Sequence, residues 1–449
     1  MSWLVTGTGA VASIGSDTDE IYESLVAGRS GLAPLRGYDR GKFRAQVAYE
    51  IDDRPAPGVD EPLRATRWLE RAVEVAAREA GLGDDLSSVP VLVGTTLREL
   101  RSVELSWRDG TPVEVADLHF GTMLRRRFGA ADTHTVANAC SASLYALALA
   151  TDLLDLGQAD TVVVAGVDTI SESTYGLLDR CYPEAPDRVR PFDRARRGML
   201  QGEGAVAVVL RREADGPGPG ATVRARVRGV AVNCDAYHPS APEAKNIAAA
   251  VREAHRRAGV GSADVDLVML HGTGTPLNDE AESAALGSVF AGVEPSPYMT
   301  AIKSMTGHTA GASGLHSLVA AVDVMRRGSV PPIVGLDDPV ESVAGFRLVR
   351  GQAVRPDEEL RIAQIDSFGF GGLNAVAIVE RYADDEAAAG DEAAAEHEAY
   401  AGHDADAERE AYAGDEADAG HDAHAGHEAH AGDETAGGNG AAAVQEEGR

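Results

Sequence analysis

Lysine is nearly missing from this chain of 449 residues: of its 41 basic residues only Lys42, Lys245 and Lys303 are lysines, and the rest are arginines. A lysine inside a motif therefore calls for a chemical reason. Cysteine is just as scarce. Cys140, Cys181 and Cys234 are odd in number and far apart, which argues against a disulfide framework or a cysteine-rich metal site and leaves reduced thiols. No run of about 18 apolar residues occurs, and the N-terminus enters a strand pattern (Trp3-Leu-Val-Thr) with no basic segment before it. Neither a membrane span nor a signal peptide is expected, and the expected location is the cytoplasm. Net positive charge is lacking too. The formal charge is −30, but residues 383–449 hold 20 acids against Arg409 and Arg449, so 18 of those negative charges belong to that segment and 12 to the rest. Such a balance argues against a nucleic-acid surface, which needs positive charge along a groove or face.

What is present is an ordinary globular composition. With 44% hydrophobic residues the chain can bury one large core or two medium ones. Residues 2–10 read as a strand entering a glycine turn, followed by a helix over Asp17 to Leu25. Gly7, Gly9 and Ala12 mimic a dinucleotide fingerprint, yet Gly28-Arg-Ser-Gly-Leu-Ala-Pro stands where a second strand ending in an acid is required. The two glycines are better read as letting a buried strand end approach another backbone. From Leu63 to Leu82 the periodicity predicts an amphipathic helix with Trp68, Leu69, Val73, Val75 and Ala76 inward, and with Arg64, Arg67 and Arg71 as a basic stripe on its exposed face. Most such stripes are solvated faces, though an anionic partner could use one.

Strand and helix then alternate. A strand at Val89 to Gly94, a helix at Val115 to Phe128, a turn and helix at Cys140 and a strand at Thr161 to Gly166 lead to the glycine-rich loop Arg190 to Gly204 and the strand Ala205 to Leu210. Beyond Pro217-Gly-Pro-Gly220 the alternation starts again, with strands near 222–231, 265–270, 298–302, 345–349, 361–366 and 374–381 and helices near 242–258, 279–289 and 311–327. Two halves of similar make-up predict a duplicated α/β fold, 1–215 and 216–382, with helices covering both faces of its sheets. After Tyr382 the composition turns to Ala, Asp, Glu, Gly and His, and from Ala413 it falls into a hexapeptide repeat. Without branched aliphatics this segment, 383–449, cannot bury a core and reads as a disordered acidic tail. Its histidines (His397, His403, His421, His424, His427, His430) could hold a divalent metal loosely, but no metal site is expected.

The stretch Val136 to Ala150 organises the rest. A short β-branched run meets a small-residue turn and then a helix whose leucines leave almost no polar face, so the helix should be buried. Cys140 stands where strand gives way to helix, where free N–H groups and the positive end of the helix dipole stabilise a thiolate. That is one way to make a nucleophile, although a free cysteine is also commonly just a small buried apolar residue. Three further stretches bear on this. Val268-Met-Leu-His271-Gly-Thr-Gly-Thr-Pro-Leu-Asn-Asp-Glu and Ala301-Ile-Lys303-Ser-Met-Thr-Gly-His308 each end a buried strand with a histidine, and Asp366-Ser-Phe-Gly-Phe370-Gly-Gly-Leu-Asn374 is a glycine loop with free backbone N–H groups.

Jointly and in this order these motifs, with Arg190-Pro-Phe-Asp, Gly202-Glu-Gly and Asp235-Ala-Tyr-His238, resemble the β-ketoacyl synthases, the condensing enzymes of fatty-acid and polyketide assembly. The resemblance runs from Val5 to about Glu380. It implies the thiolase-like duplicated five-layer αβαβα fold and a Cys-His-His set at Cys140, His271 and His308. It further implies an acyl group held on Cys140 and an enolate held by the two imidazoles after a malonyl thioester loses CO₂. A second oxyanion hole is implied at the N–H groups of Cys140 and Phe370, with Phe370 gating the acyl pocket. Lys303 is expected to form a buried ion pair with Glu282 or Asp279, and Thr273 and Thr275 to hydrogen-bond a phosphopantetheine arm. Substrates would arrive on an acyl carrier protein docking at Arg64, Arg67 and Arg71. No other cofactor is implied, and the expected assembly is a homodimer, or a heterodimer with a related subunit.

Some positions depart from the family's usual pattern: Leu373 and Asn138 each stand where threonine is common, and Ser317 where a glutamate often pairs with the lysine. The segment between Gly94 and Thr135 is short. These departures favour a specialised pathway. Two other activities stay open at this point: a non-catalytic partner subunit resembling a chain-length factor, and transfer of the acyl chain from Cys140 to an amine or alcohol.

Overall fold

The computed structural model of the chain describes residues 2–382 apart from Pro57 and Pro219. The acidic repeat segment expected to be a disordered tail, 383–449, lies outside the described residues. The strands are β1 Trp3–Ala12, β2 Ala33–Pro34, β3 Val47–Ala48, β4 Val91–Gly94, β5 Thr133–Val136, β6 Thr161–Asp168, β7 Gly204–Arg212, β8 Ala225–Cys234, β9 Leu267–Met269, β10 Tyr298–Thr300, β11 Arg347–Leu348, β12 Ile362–Gly369 and β13 Leu373–Arg381. The helices are α1 Thr18–Val26, α2 Arg64–Glu79, α3 Leu100–Asp109, α4 Phe120–Phe128, α5 Ala142–Asp155, α6 Glu172–Cys181, α7 Ala244–Ala258, α8 Pro276–Val289, α9 Lys303–Thr306 and α10 Ser313–Arg327.

The duplication expected from the sequence is visible in the sheet. Its strands run in the order β11-β10-β9-β12-β13-β8-β1-β7-β6-β4-β5. Numbering five strands of each half along the chain, β5-β4-β6-β7-β1 and β10-β9-β12-β13-β8 follow the same order and the same pattern of parallel and antiparallel pairing. The halves join where Trp3 to Val5 of β1 pairs antiparallel with Ala225 to Val227 of β8. Helices α5 and α10 form the central layer, each packing on strands of both halves, while α2 covers the outer face of β1, β6 and β7, and α7 that of β8 and β13. Burial on both faces explains why β6 and β7 are nearly continuous runs of small and branched apolar residues. No described helix is long and apolar enough to cross a membrane.

Gly7 and Gly9 do what close packing demands: a Cβ on either would run into the carbonyl oxygen of Ala76 or Ala72 of α2. They form no phosphate loop.

Three expectations are corrected, and two further helices appear. The helix expected over Val115 to Phe128 is a single 3₁₀ turn, Val115–Leu118, followed by α4. Helices α3 and α6 were not legible because their patterns are inverted: α3 buries Arg101 and Ser102 while Trp107 is 91% exposed, and α6 buries Asp179 while Leu177 faces outward. Helix α5 is not buried all round, since Leu149 is exposed, as is Leu156 just past its end. Finally, Arg64 is not part of a surface stripe. It is buried at the start of α2, ion-paired to Asp53 (2.6 Å), Glu203 (3.0 Å) and Asp60 (3.4 Å), with its guanidinium over the Trp68 ring. The acids around it come from the loop before α2 and from the start of β7, which the helical periodicity alone does not reveal. Arg67 and Arg71 remain exposed, Arg67 paired with Glu61.

Candidate active site

The chain leaves β5, turns through Ala139–Ser141 in a 3₁₀ conformation and enters α5. Ala139 has φ +50°, a left-handed backbone that costs a non-glycine residue about 1 kcal/mol or more. The other half of the molecule holds this strained turn: Ser367 Oγ donates to the Cys140 carbonyl at 2.9 Å and Ser313 Oγ at 3.3 Å. Cys140 is buried. Burial pushes its thiol up to about 11, against the lowering effects of the Lys303 ammonium, the Phe370 N–H and its own N–H. This corrects the expectation that the turn at the helix start makes a resting thiolate, because desolvation outweighs the local dipoles. The same two N–H groups expected to form an oxyanion hole, those of Cys140 and Phe370, do act on the sulfur.

His271 follows β9, and its position is set through the main chain. Its N–H donates to Glu282 Oε1 (2.7 Å), and the Gly272 N–H and Asn278 Nδ2 donate to Oε2 (2.9 and 3.0 Å). Asp279 accepts the N–H groups of Phe192 (2.8 Å) and Gly274 (3.2 Å). His308 follows α9, its N–H donating to the Leu200 carbonyl and its own carbonyl accepting the Gly202 N–H, both at 2.9 Å. The two imidazoles meet edge to face with ring centroids 5.5 Å apart. Burial, reinforced by Lys303, pushes both well below the usual histidine range and so keeps them neutral. His271 Nδ1 and both ring nitrogens of His308 have no hydrogen-bond partner among the described residues, so they are available to a ligand.

Lys303 is buried beside them and is brought down to about 8 by burial, against the opposing charges of Glu282, Cys140, Asp366 and Asp279. The expected ion pair is corrected here. Among the described residues no carboxylate lies within 4 Å of Lys303; Glu282 and Asp279 are instead occupied by the backbone of the His271 loop. Lys303 acts on this site as an electrostatic neighbour. Replacing Lys303 by methionine should push the Cys140 thiol still higher, so alkylation by iodoacetamide should slow and its rise with pH should shift to more alkaline values. The difference should be largest below about pH 8, where Lys303 is an ammonium, and should narrow above it. An unchanged pH profile would mean that the lysine only fills space.

These groups face a cavity of about 360 Å³, lined by Cys140, His271, His308, Thr273, Thr275 and Phe370 among others. The hydroxyls of Thr273 and Thr275 lie 2.8 Å apart. Phe370 is 47% exposed and precedes Gly371 and Gly372 at φ +87° and +74°, a backbone that leaves its ring at the cavity edge. Cys181, Tyr182 and Met199 also line the cavity, and no motif pointed to them. Asp366 was quoted only as part of a loop, yet it is buried and interacts with Lys303. Arg64, Arg67 and Arg71 do not line this cavity; Arg71 belongs to a separate surface cleft with Glu20, Asp53 and Trp68.

One ligand atom each of Cys140, His271 and His308 lies within 4.8 Å of the others. Such a set has the composition of a site for a thiophilic cation, but the adjacent Lys303 ammonium opposes one. A nucleophile, two neutral imidazoles and two backbone N–H groups suit acyl transfer with an oxyanion to be held.

Comparison with known proteins gives the following. Residues 4–216 match the family model "Beta-ketoacyl synthase, N-terminal domain" and residues 224–337 match "Beta-ketoacyl synthase, C-terminal domain". The chain is 29% identical over 400 residues to nodulation protein E of Rhizobium meliloti (strain 1021), covering 83% of this chain and 97% of that one. It is 27% identical to 3-oxoacyl-[acyl-carrier-protein] synthase 2 of Coxiella burnetii, covering 85% and 99%. Among solved structures, the ishigamide ketosynthase/chain length factor superposes with TM-score 0.74 at 30% identity, covering 85% of this chain and 99% of that one.

Proposed function

The chain belongs to the β-ketoacyl synthase family, and from that premise we propose that Cys140, His271 and His308 carry out a decarboxylative condensation on carrier-bound thioesters. The carrying observation is the convergence of the thiol with two neutral imidazoles in one cavity. Cys140 sulfur attacks the acyl thioester, its proton leaving with the departing pantetheine thiol, and an acyl-cysteine results. A malonyl thioester then enters, its pantetheine arm hydrogen-bonded by the Thr273 and Thr275 hydroxyls, and loses CO₂. The electron pair of the broken C–C bond becomes an enolate whose oxygen accepts N–H donation from His271 and His308; oriented donors of this kind lower a barrier by roughly 3–4 kcal/mol each. The enolate carbon attacks the acyl-cysteine carbonyl, and the oxygen that becomes negative accepts the N–H groups of Cys140 and Phe370. Collapse releases the β-ketoacyl thioester, two carbons longer, and returns the thiolate, which regains its proton from water. Neutral imidazoles serve here because a charged one would be expensive to bury, while each neutral ring still carries one N–H to donate.

The test is incubation with acyl- and malonyl-carrier proteins, following CO₂ release and a product two carbons longer. Transfer of the acyl group to an added amine or alcohol without CO₂ release would instead favour the acyltransferase reading. A non-catalytic partner subunit finds no support in a site that keeps the thiol and both imidazoles.

The phosphopantetheine arm is the only prosthetic group this reaction calls for, and it belongs to the substrate. Docking of the acidic carrier falls to Arg67 and Arg71 alone once Arg64 is accounted for. Reversing both to glutamate should raise the apparent KM for the acyl carrier by about three- to tenfold at low salt and leave a small pantetheine thioester unaffected. Equal losses with both substrates would remove these arginines from docking. A dimer, with itself or a related subunit, fits the open edge of β5 together with the exposed Leu149 of α5 and Leu156 just past its end. A cytoplasmic location, where thiols stay reduced, is consistent with Cys140, Cys181 and Cys234 all being free.

A further inference from the structure

Asp168 takes no part in the chemistry just described. It is the last residue of β6 and is 1% exposed. Its carboxylate gathers donors from two distant parts of the chain. Oδ1 accepts the Thr95 hydroxyl (2.9 Å) and the Leu97 N–H (2.7 Å); Oδ2 accepts the Thr96 N–H (2.8 Å) and the Gly311 N–H (2.6 Å). The first three belong to the turn after β4, in the half that carries Cys140. Gly311 lies three residues after His308, in the 3₁₀ turn Ala310–Ala312 that opens α10.

Around this carboxylate the backbones touch directly. A Cβ on Gly94 would run into the backbone of Ser143 in α5, one on Gly166 would lie 2.8 Å from Ala312 Cα, and one on Gly311 would lie 2.7 Å from the Thr95 backbone. The ends of β4 and β6 and the starts of α5 and α10 therefore meet at close backbone contacts, with the small Ser143 side chain among them, its Oγ accepting the Leu315 N–H at 3.2 Å. How the Ala310–Ala312 turn sits in this junction constrains the chain at His308, two residues before it.

We propose that Asp168 is a positioning residue for the decarboxylation step: it pins the segment following His308 to the strand ends beside Cys140 and so sets the His308 ring against the bound malonyl group. This rests on the reading of His308 given above. On its N-terminal side His308 is already tied, through Leu200 and Gly202, to the loop before β7. On its C-terminal side the tie at Gly311 is the one to Asp168. Cys140 is held differently. Its carbonyl takes the Ser367 hydroxyl at 2.9 Å, a bond independent of the α10 segment, besides the weaker one from Ser313. Loosening Asp168 therefore disturbs His308 more than the nucleophile. Electrostatics gives the carboxylate no catalytic advantage, since its charge pushes the Cys140 thiol up and burial pushes Asp168 itself up to about 6. Its contribution is geometric.

The test separates the two half-reactions on the full chain. Acylation of Cys140 by an acyl-carrier thioester is followed by intact mass; malonyl-carrier protein is then added to the loaded enzyme and CO₂ release is timed. Asp168→Asn keeps the size but turns an NH₂ group toward N–H donors. It should acylate within about threefold of the parent and release CO₂ about ten- to a hundredfold more slowly, with malonyl KM little changed, as expected of a misplaced reacting group. Equal slowing of both steps, or no slowing of either, overturns the proposal. If the parent protein itself neither acylates nor releases CO₂, it is the condensation reading that fails. Should Asp168→Asn lack a cooperative melting transition, Thr95→Val, which removes a single donor, must show the same split at about two- to fivefold; equal effects on both steps there also overturn the proposal.

Discussion

Cys140→Ala should lose condensation altogether, by at least about a thousandfold in turnover, and should show no acyl adduct by intact mass after incubation with an acyl-carrier thioester. The measurement matters because a second thiol is available: Cys181 lines the same cavity and is more exposed. Exposure alone would favour Cys181. Cys140 has what Cys181 lacks, namely the N–H groups of Phe370 and of its own residue, the Lys303 ammonium and the two imidazoles within reach. A thiol resting near 11 reacts only when these groups stabilise the sulfur as its proton leaves, so the surroundings select the nucleophile. Cys181→Ser and Cys234→Ser should keep the adduct. Substituting His271 or His308 by alanine should leave acylation in place and slow CO₂ release by roughly 10²–10³-fold, the usual cost of one oxyanion donor. An adduct that survives in Cys140→Ala, or moves to Cys181 or Cys234, would end the assignment.

Arg64→Ala should be among the most destabilising substitutions in the protein although Arg64 is remote from the cavity. Removing one partner of a buried ion pair leaves the others charged and desolvated, at a cost of about 3–5 kcal/mol. Here Asp53, Asp60 and Glu203 would each lose a cation, with Arg54 remaining beside Asp60 and Glu203 and Arg101 beside Asp60. The Glu203 carboxylate also accepts the Ile51 N–H and the Thr169 hydroxyl, so the disturbance reaches the 50–60 loop and the end of β6. The midpoint of thermal unfolding should fall by roughly 5 °C or more. Arg67→Ala and Arg71→Ala should leave it nearly unchanged, because exposed ion pairs contribute about 1 kcal/mol at most. Equal midpoints for all three variants would show that the Arg64 network is not what holds the start of α2.

The sequence reached most of the strands, because burial on both faces writes itself as uninterrupted Val and Ala runs such as Val162 to Ala165 and Val206 to Leu210. It reached the repeat as well, since each half spells its own alternation. It missed α3 and α6, whose buried faces mix apolar residues (Leu105, Tyr175) with polar ones: Arg101 is satisfied by Asp60 and Asp179 by the N–H groups of Arg44 and Ala45, partners remote in sequence. A periodicity of apolar residues cannot report a face whose burial is made affordable by long-range ion pairs and hydrogen bonds.

The sequence by itself put Cys140, His271 and His308 forward as the candidate reacting groups, because each stands in a motif of small residues and turns at a strand end and the motifs together resemble the β-ketoacyl synthases. It could not determine how those groups are charged or what holds them. Whether the Cys140 turn lowers or raises its thiol depends on a competition between local dipoles and burial, and burial is a property of the assembled layers. Whether Lys303 pairs with Glu282 depends on whether the carboxylate is free, and the His271 loop has already claimed it. Whether Arg64 faces solvent depends on Glu203 and Asp53 arriving from elsewhere in the chain. Tertiary structure decided each of these, because electrostatic energies are set by distance and surrounding dielectric, and neither is written in the order of residues.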